Sequence, residues 1–195
     1  TEIYTLSLHD ALPISAPAAS AIARRWDRAT EGSADVAPNA RDERIDTNDP
    51  QRHLVYAAED SVLDDIGRRL RRWTDVEAFV EAILADPAYL DLFPDAPLDV
   101  VLDRRSRSAR ASVALPDRAT ILIRDGGWNA LTVLHELSHL VSPDREPHGA
   151  DFVATELALV RRFCGFDAFA TLASTFVAHG VAAASVPLAS ARGAD

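Results

Sequence analysis

The sequence predicts an α+β domain in which a small three-stranded antiparallel sheet packs against helices. Three observations carry that prediction. Apolar residues recur mostly at three and four from about residue 50 to 85 and again from about 128 to 178, which is helical spacing. Between those stretches the period falls to two, at Leu98, Val100 and Leu102 and at Ala111, Val113 and Leu115, with Ile121 and Ile123 in a third short run. Pro116, Gly126-Gly127, Ser142-Pro143, Gly165 and Gly180 stand at the boundaries.

The first helix is expected from Pro50 to Trp73, carrying Leu54, Val55, Val62, Leu63, Ile66 and Leu70, with Asp49 as N-cap and Pro50 at the first helical position. A second runs from about 75 to 85 and presents Val76, Phe79, Val80, Ile83 and Leu84. The Pro-punctuated segment 86 to 97 reads as a loop that pins Tyr89, Leu92 and Phe93 onto the core. Three short strands follow, joined by the turn RRSRSAR and by Pro116-Asp117. A helix from Trp128 or Asn129 to Val141 ends at Ser142-Pro143. Two more are expected, at about 150 to 164 and 167 to 178, closed by Gly165 and Gly180.

Length and composition bound the function. With 195 residues, 48% hydrophobic and 26% charged, the chain has the make-up of one globular domain. Thirty acidic residues against twenty basic ones give a net charge of −10, which argues against general affinity for nucleic-acid backbones. A single cysteine excludes an internal disulfide framework and a four-cysteine zinc ribbon. No apolar run is long enough to span a bilayer, so a soluble, cytoplasmic protein is expected. Every basic residue is Arg, the bias of a GC-rich coding sequence. Met is absent, so Thr1 is not expected to be a native start, and TEIYTLSLHDALPIS resembles translated sequencing-adapter read-through. Residues 1 to 15 are therefore expected to be an artefact and the rest of 1 to 48 a disordered leader with little to bury. The domain is expected over 49 to 182, and 183 to 195 as a flexible tail.

The chemistry concentrates in His135-Glu136-Leu137-Ser138-His139, an H-E-x-x-H match on a predicted helix. Residues i and i+4 share one helical face, so two imidazoles can bind one ion. Glu136, beside them, is placed to take a proton from a metal-bound water without ligating. The flanking Leu131, Val133, Leu134, Leu137, Leu140 and Val141 make this a buried helix, and polar residues inside a buried helix need partners. Zinc needs a third protein ligand with one position left for water. His148 leads, because a turn bounded by Pro143 and Pro147 can bring it back over the helix. Asp151 and Glu156 compete for that role. Glu156 resembles the Glu that a following helix supplies in thermolysin-like enzymes, though their Glu-x-x-x-Asp pattern is missing.

HELSHL, with eight residues between His139 and His148, and then HGADF resembles the signature of a family of small actinobacterial metallohydrolases, HExxH-x8-HGxxF. The stretch from Asp49 to Glu59 (DPQRHLVYAAE) is similar to that family's opening helix. SprT-like proteases share the HExxH…HGxxF layout, with Glu more usual where this chain has Asp151. The resemblance implies a single zincin-like domain, one Zn2+ per chain held by His135, His139 and His148, and Glu136 as catalytic base. It implies a zinc-dependent hydrolase, foremost a metallopeptidase acting on a peptide or protein. A SprT-like DNA-associated protease and a non-catalytic metal-binding regulatory protein are the alternatives. The oligomeric state is left open.

In proteases of this architecture an extended substrate pairs with an edge strand, for which residues 119 to 124 are the candidate. Arg124 is the nominal oxyanion stabiliser. Arg104, Arg105, Arg107 and Arg110 form a basic turn that reads first as solvated and second as a phosphate contact. Arg68, Arg69, Arg71 and Arg72 read as the outer face of the first helix. His53 and His179 read as surface or helix-end residues, Cys164 as buried and inert. Tyr56 on the first helix has no position that the sequence fixes.

Overall fold

A computed structural model describes residues 49–142 and 146–187. The expected artefact and leader, and residues 188 to 195 of the expected tail, lie outside the described residues. Six helices are described, α1 Arg52–Ile66, α2 Trp73–Leu84, α3 Pro87–Leu92, α4 Ala130–Val141, α5 Ala150–Phe163 and α6 Phe166–Ala178. Three strands, β1 Val101–Arg105, β2 Val113–Leu115 and β3 Thr120–Arg124, lie between α3 and α4. The α+β class expected from the change of period is what the chain adopts. No described helix is long and apolar enough to cross a membrane.

The sheet departs from expectation. Its order is β1-β3-β2, with β2 antiparallel to β3 but β1 parallel to it. The sheet is therefore mixed, not antiparallel. The hairpin lies between β2 and β3, where a 3-10 turn at Pro116–Arg118 ends on Ala119 in the left-handed region, at φ 44°. Such a φ costs an alanine steric strain, which the strand pairing on either side of the turn holds in place. The turn after β1 instead carries the chain across to the far side of β3, so β1 and β3 run the same way. A consequence concerns the strand expected to receive substrate. Residues 119 to 124 form the central strand, paired on both sides, and have no free edge. Of the two edge strands, β2 is the one packed on α4.

Two boundaries differ for local reasons. The first helix stops at Ile66 because Gly67 is its C-cap. A Cβ on Gly67 would lie 2.4 Å from the Asn129 side chain, so only glycine lets the chain turn there. Arg68 to Arg72 thus form the link to α2 rather than a helix face. The segment read as a loop contains α3, started by Asp86, whose side chain accepts from the Ala88 N–H at 2.8 Å, and by Pro87.

The helices pack around one apolar core, the first on the last, with α1 on α6, α6 on α5, α5 on α4, and α4 on the sheet. Leu131, Val133, Leu134 and Leu137 of α4 are buried against it, each side chain contributing on the order of 1.5–3 kcal/mol. Asn129 caps α4 by accepting from the Leu131 N–H at 2.7 Å and donates to the Gly67 carbonyl at 3.0 Å. That double bond-set ties the start of α4 to the end of α1. At the far end of the described chain, the Ala184 N–H donates to the Ala150 carbonyl at 2.9 Å.

Candidate metal centre

Helical geometry brings His135 and His139 to one face of α4, one turn apart, with ring centroids 5.0 Å apart. His148 arrives from the turn before α5, with its ring 5.2 Å from His135 and 4.8 Å from His139. Phe152, fully buried on the first turn of α5, packs against all three imidazoles at 4.4–5.0 Å and forms the apolar floor of the cluster. One nitrogen of each histidine lies within 4.8 Å of the others, a spacing from which one ion can be held. His135 and His148 are buried, and His139 is the ring that meets solvent.

What lies behind the rings says more than the rings themselves. His135 Nδ1 is 2.7 Å from Glu59 Oε1, and His148 Nδ1 is 2.6 Å from Asp49 Oδ2. With both carboxylates ionised, the state that a cation at the rings would favour for Glu59 against its burial, each Nδ1 donates its proton, which leaves both Nε2 atoms as bare lone pairs. The two Nε2 atoms face each other at 3.4 Å. Neither can donate to the other in that state, and a cation between them would satisfy both lone pairs. Two nitrogens about 2.0–2.1 Å from one tetrahedral ion stand about 3.3–3.4 Å apart, and the observed separation fits.

The electrostatics agree with neutral rings at His139 and His148. Burial first, then the neighbouring His135 and His148, lowers the His139 pKa to about 2. Burial and His135 lower that of His148 to about 4, against the raising effect of Asp49. Burial pushes Glu59 up to about 8 and Glu156 well above the ordinary carboxylate range, the second reinforced by Glu59. A positive ion among the imidazoles would offset that penalty.

Sequence reasoning placed some neighbours and missed others. Glu156 is fully buried, 4.0 Å from His135 Nδ1, behind the ring rather than beside His139 and His148. Its two carboxylate oxygens reach no hydrogen-bond partner among the described residues. Asp151 is exposed. Glu136 is 4% exposed and faces β2, where the Ala114 backbone N–H and Arg105 favour its ionised form against the stronger effect of burial, which raises its pKa. Arg124 is engaged elsewhere, with Nε donating to the carbonyls of Arg107 and Ala109 at 3.1 and 2.7 Å.

Tyr56 does reach the site. Its ring stacks on His135 at 5.2 Å and tilts against His148 at 5.2 Å, with the Arg52 guanidinium 5.6 Å from its centroid. Burial, then Glu136, raises the phenol to about 12, so it stays protonated at neutral pH. Asp49, expected as a helix cap, is instead the partner of His148, and Gln51 takes the N-cap position. The Gln51 amide donates to the His148 carbonyl at 2.8 Å and accepts from the Ala182 N–H at 2.9 Å, clamping the turn that carries the third histidine. The signal that could have found these residues was the opening segment itself, where Arg52, Tyr56 and Glu59 share one helical face.

Comparison with protein families, with curated proteins and with solved structures finds no match. The reading of the site rests on its own geometry and on the motif.

Proposed function

We propose that this protein is a zinc-dependent hydrolase of the zincin-like kind, a metallopeptidase related to the family that HELSHL and HGADF resemble. His135, His139 and His148 would hold one Zn2+ per chain, and Glu136 is the catalytic base. The observation that carries the proposal is the pair of Nε2 atoms at 3.4 Å, each set by a carboxylate on its Nδ1. The donor set suits zinc, which takes imidazole nitrogen readily, and a three-histidine site leaves a position for water. Among the described residues no fourth ligand joins the histidine cluster, whereas a purely structural zinc is closed by four.

Bound there, zinc supplies a Lewis acid and makes water a nucleophile near neutral pH. The chain's own residues do the rest. Glu136, its pKa raised by burial, takes the proton of the attacking water and returns it to the leaving amine, as a base poised nearer neutrality does best. The Tyr56 hydroxyl, still protonated, donates toward the charge that develops on the carbonyl oxygen. Phe152 keeps one side of the cluster dry.

Metal analysis of the purified chain, followed by a peptide-library digest with Glu136→Gln as control, tests the reading. About one zinc per chain is expected in both proteins, and hydrolysis at least about a hundredfold slower in the variant. Undiminished hydrolysis in Glu136→Gln would sink the mechanism.

A further inference from the structure

The two arginine runs of the sequence meet in space, away from the histidines. Arg68 to Arg72 link α1 to α2, and Arg104 to Arg110 lead out of β1. Between them lies a cavity of about 190 Å3 lined by Arg69, Arg71, Arg104, Arg107, Asp125 and Trp128. Four arginines thus line one cavity with a single aspartate, in a chain whose net charge is −10. Solvating an acidic surface does not need such a concentration of like charge, and mutual repulsion opposes it.

Asp125 is already spoken for. Arg104 Nε and Nη2 reach its two oxygens at 2.9 and 3.0 Å in a bidentate pair. The same guanidinium lies 5.3 Å from the Trp128 ring and 5.9 Å from the Trp73 ring, which locks it in place. The Arg69 and Arg71 side chains form no ion pair with another described residue, and Arg107 has only the shared Asp125 nearby. The indole N–H of Trp128, buried beside the cavity, has no acceptor among the described residues.

The walls are built rather than loose. The Leu70 N–H donates to the Trp128 carbonyl at 3.0 Å and the Ala130 N–H to the Arg68 carbonyl at 2.9 Å, while Arg69 bridges to Asn129. The arginines therefore project from backbone that is hydrogen-bonded to the start of α4. Preformed donors of this kind bind anions without the cost of ordering a loop.

We propose that this cavity is a binding site for a compact phosphoryl-bearing anion, a small phosphate or diphosphate compound. Guanidinium forks match phosphate oxygens in charge and in geometry. The volume is below the roughly 300 Å3 at which pockets begin to enclose drug-sized ligands, which suits a small dianion. The site is independent of the metal centre and of the hydrolase reading.

Inorganic pyrophosphate, titrated into the zinc-loaded full chain at low salt, is the probe, with tryptophan fluorescence as the readout because Trp73 and Trp128 flank the arginines. A saturable change with a midpoint below about 1 mM is expected. Replacing two exposed cavity arginines together, Arg71→Ala with Arg107→Ala, should weaken binding at least about tenfold at unchanged circular dichroism. Arg118→Ala, an exposed arginine outside the cavity, should leave the midpoint unchanged. Absence of saturation, or an equal midpoint in the double variant as binding at zinc would give, overturns the proposal.

Discussion

Helices α4 and α1 both serve the histidine cluster, and they do so in different ways. Helix α4 contributes His135 and His139, whose spacing alone puts two imidazoles on one face. Helix α1 and the residues just ahead of it contribute no ligand to the cluster. They supply Asp49, Gln51, Tyr56 and Glu59, which orient the rings, clamp the third histidine and line the site. The difference teaches that a short motif specifies which atoms can touch an ion, whereas a distant element decides which way those atoms point and which nitrogen carries the proton.

That division of labour makes graded predictions. Removing a ligand from α4 should have the largest effect. His135→Ala should abolish stoichiometric zinc and leave the buried Glu59 without its donor, at a cost of about 1–3 kcal/mol in stability. Metal content and thermal melting read both, and full zinc occupancy in this variant would dissolve the contrast.

Changing the orienting residues should come next. Glu59→Ala and Asp49→Ala each should weaken zinc affinity about 10–100-fold without abolishing binding, measured by competition with a chelator. Asp49→Asn, which can still accept a hydrogen bond through its amide oxygen, should recover part of the loss. A loss as large as that of His135→Ala would make these carboxylates ligands instead.

Tyr56→Phe keeps the stacked ring and removes only the hydroxyl. Turnover should fall about tenfold with zinc affinity unchanged, and kcat rather than KM should carry the effect. An unchanged kcat would leave α1 with orientation as its only task.

The smallest effect is a pH dependence of the metal-free chain. His148 and His139 are lowered in the fold to about 4 and 2, so the unfolded chain takes up protons below about 6.5 that the folded one refuses. Their contribution is present above that pH and is lost as pH falls. Glu156, raised well above the carboxylate range, acts oppositely, and so does Glu59, raised to about 8. The Glu59 contribution is complete below about 4.5 and is lost as pH rises through 8. Melting temperature in chelator should therefore peak between about pH 4.5 and 6.5. A peak that instead lies above pH 8 would mean that the buried carboxylates behind His135 do not govern stability.

Much of this was legible in the sequence where the information is local. The helices of the second half follow from spacing and from their closing residues, Ser142, Gly165 and Gly180. The sheet order does not, because strand neighbours are decided by how the whole sheet packs, and the assumption that successive strands form hairpins fails at β1. Spacing does not place Asp49, because a carboxylate ahead of a helix suits an N-cap and an imidazole partner equally well, and only the position of His148 chooses. Glu156 read as a competing ligand because composition cannot tell the Nε2 side of a histidine from its Nδ1 side. Helical spacing runs straight through Gly67, which ends a helix because of the Asn129 side chain sixty-two positions away.

The bond between Asp49 and His148 spans 99 positions of the chain, and that between Glu59 and His135 spans 76. Contacts of such high sequence separation form late, after the intervening loop entropy has been overcome. A nascent chain would display all three imidazoles on α4 and its following turn only as the last helices emerge, and would have to fold α1 back onto them before either ring is held. If the cluster holds zinc, its acquisition would be coupled to the closing stage of folding, and a proteolytically clipped fragment lacking α1 would compete poorly for the ion even with the whole motif intact.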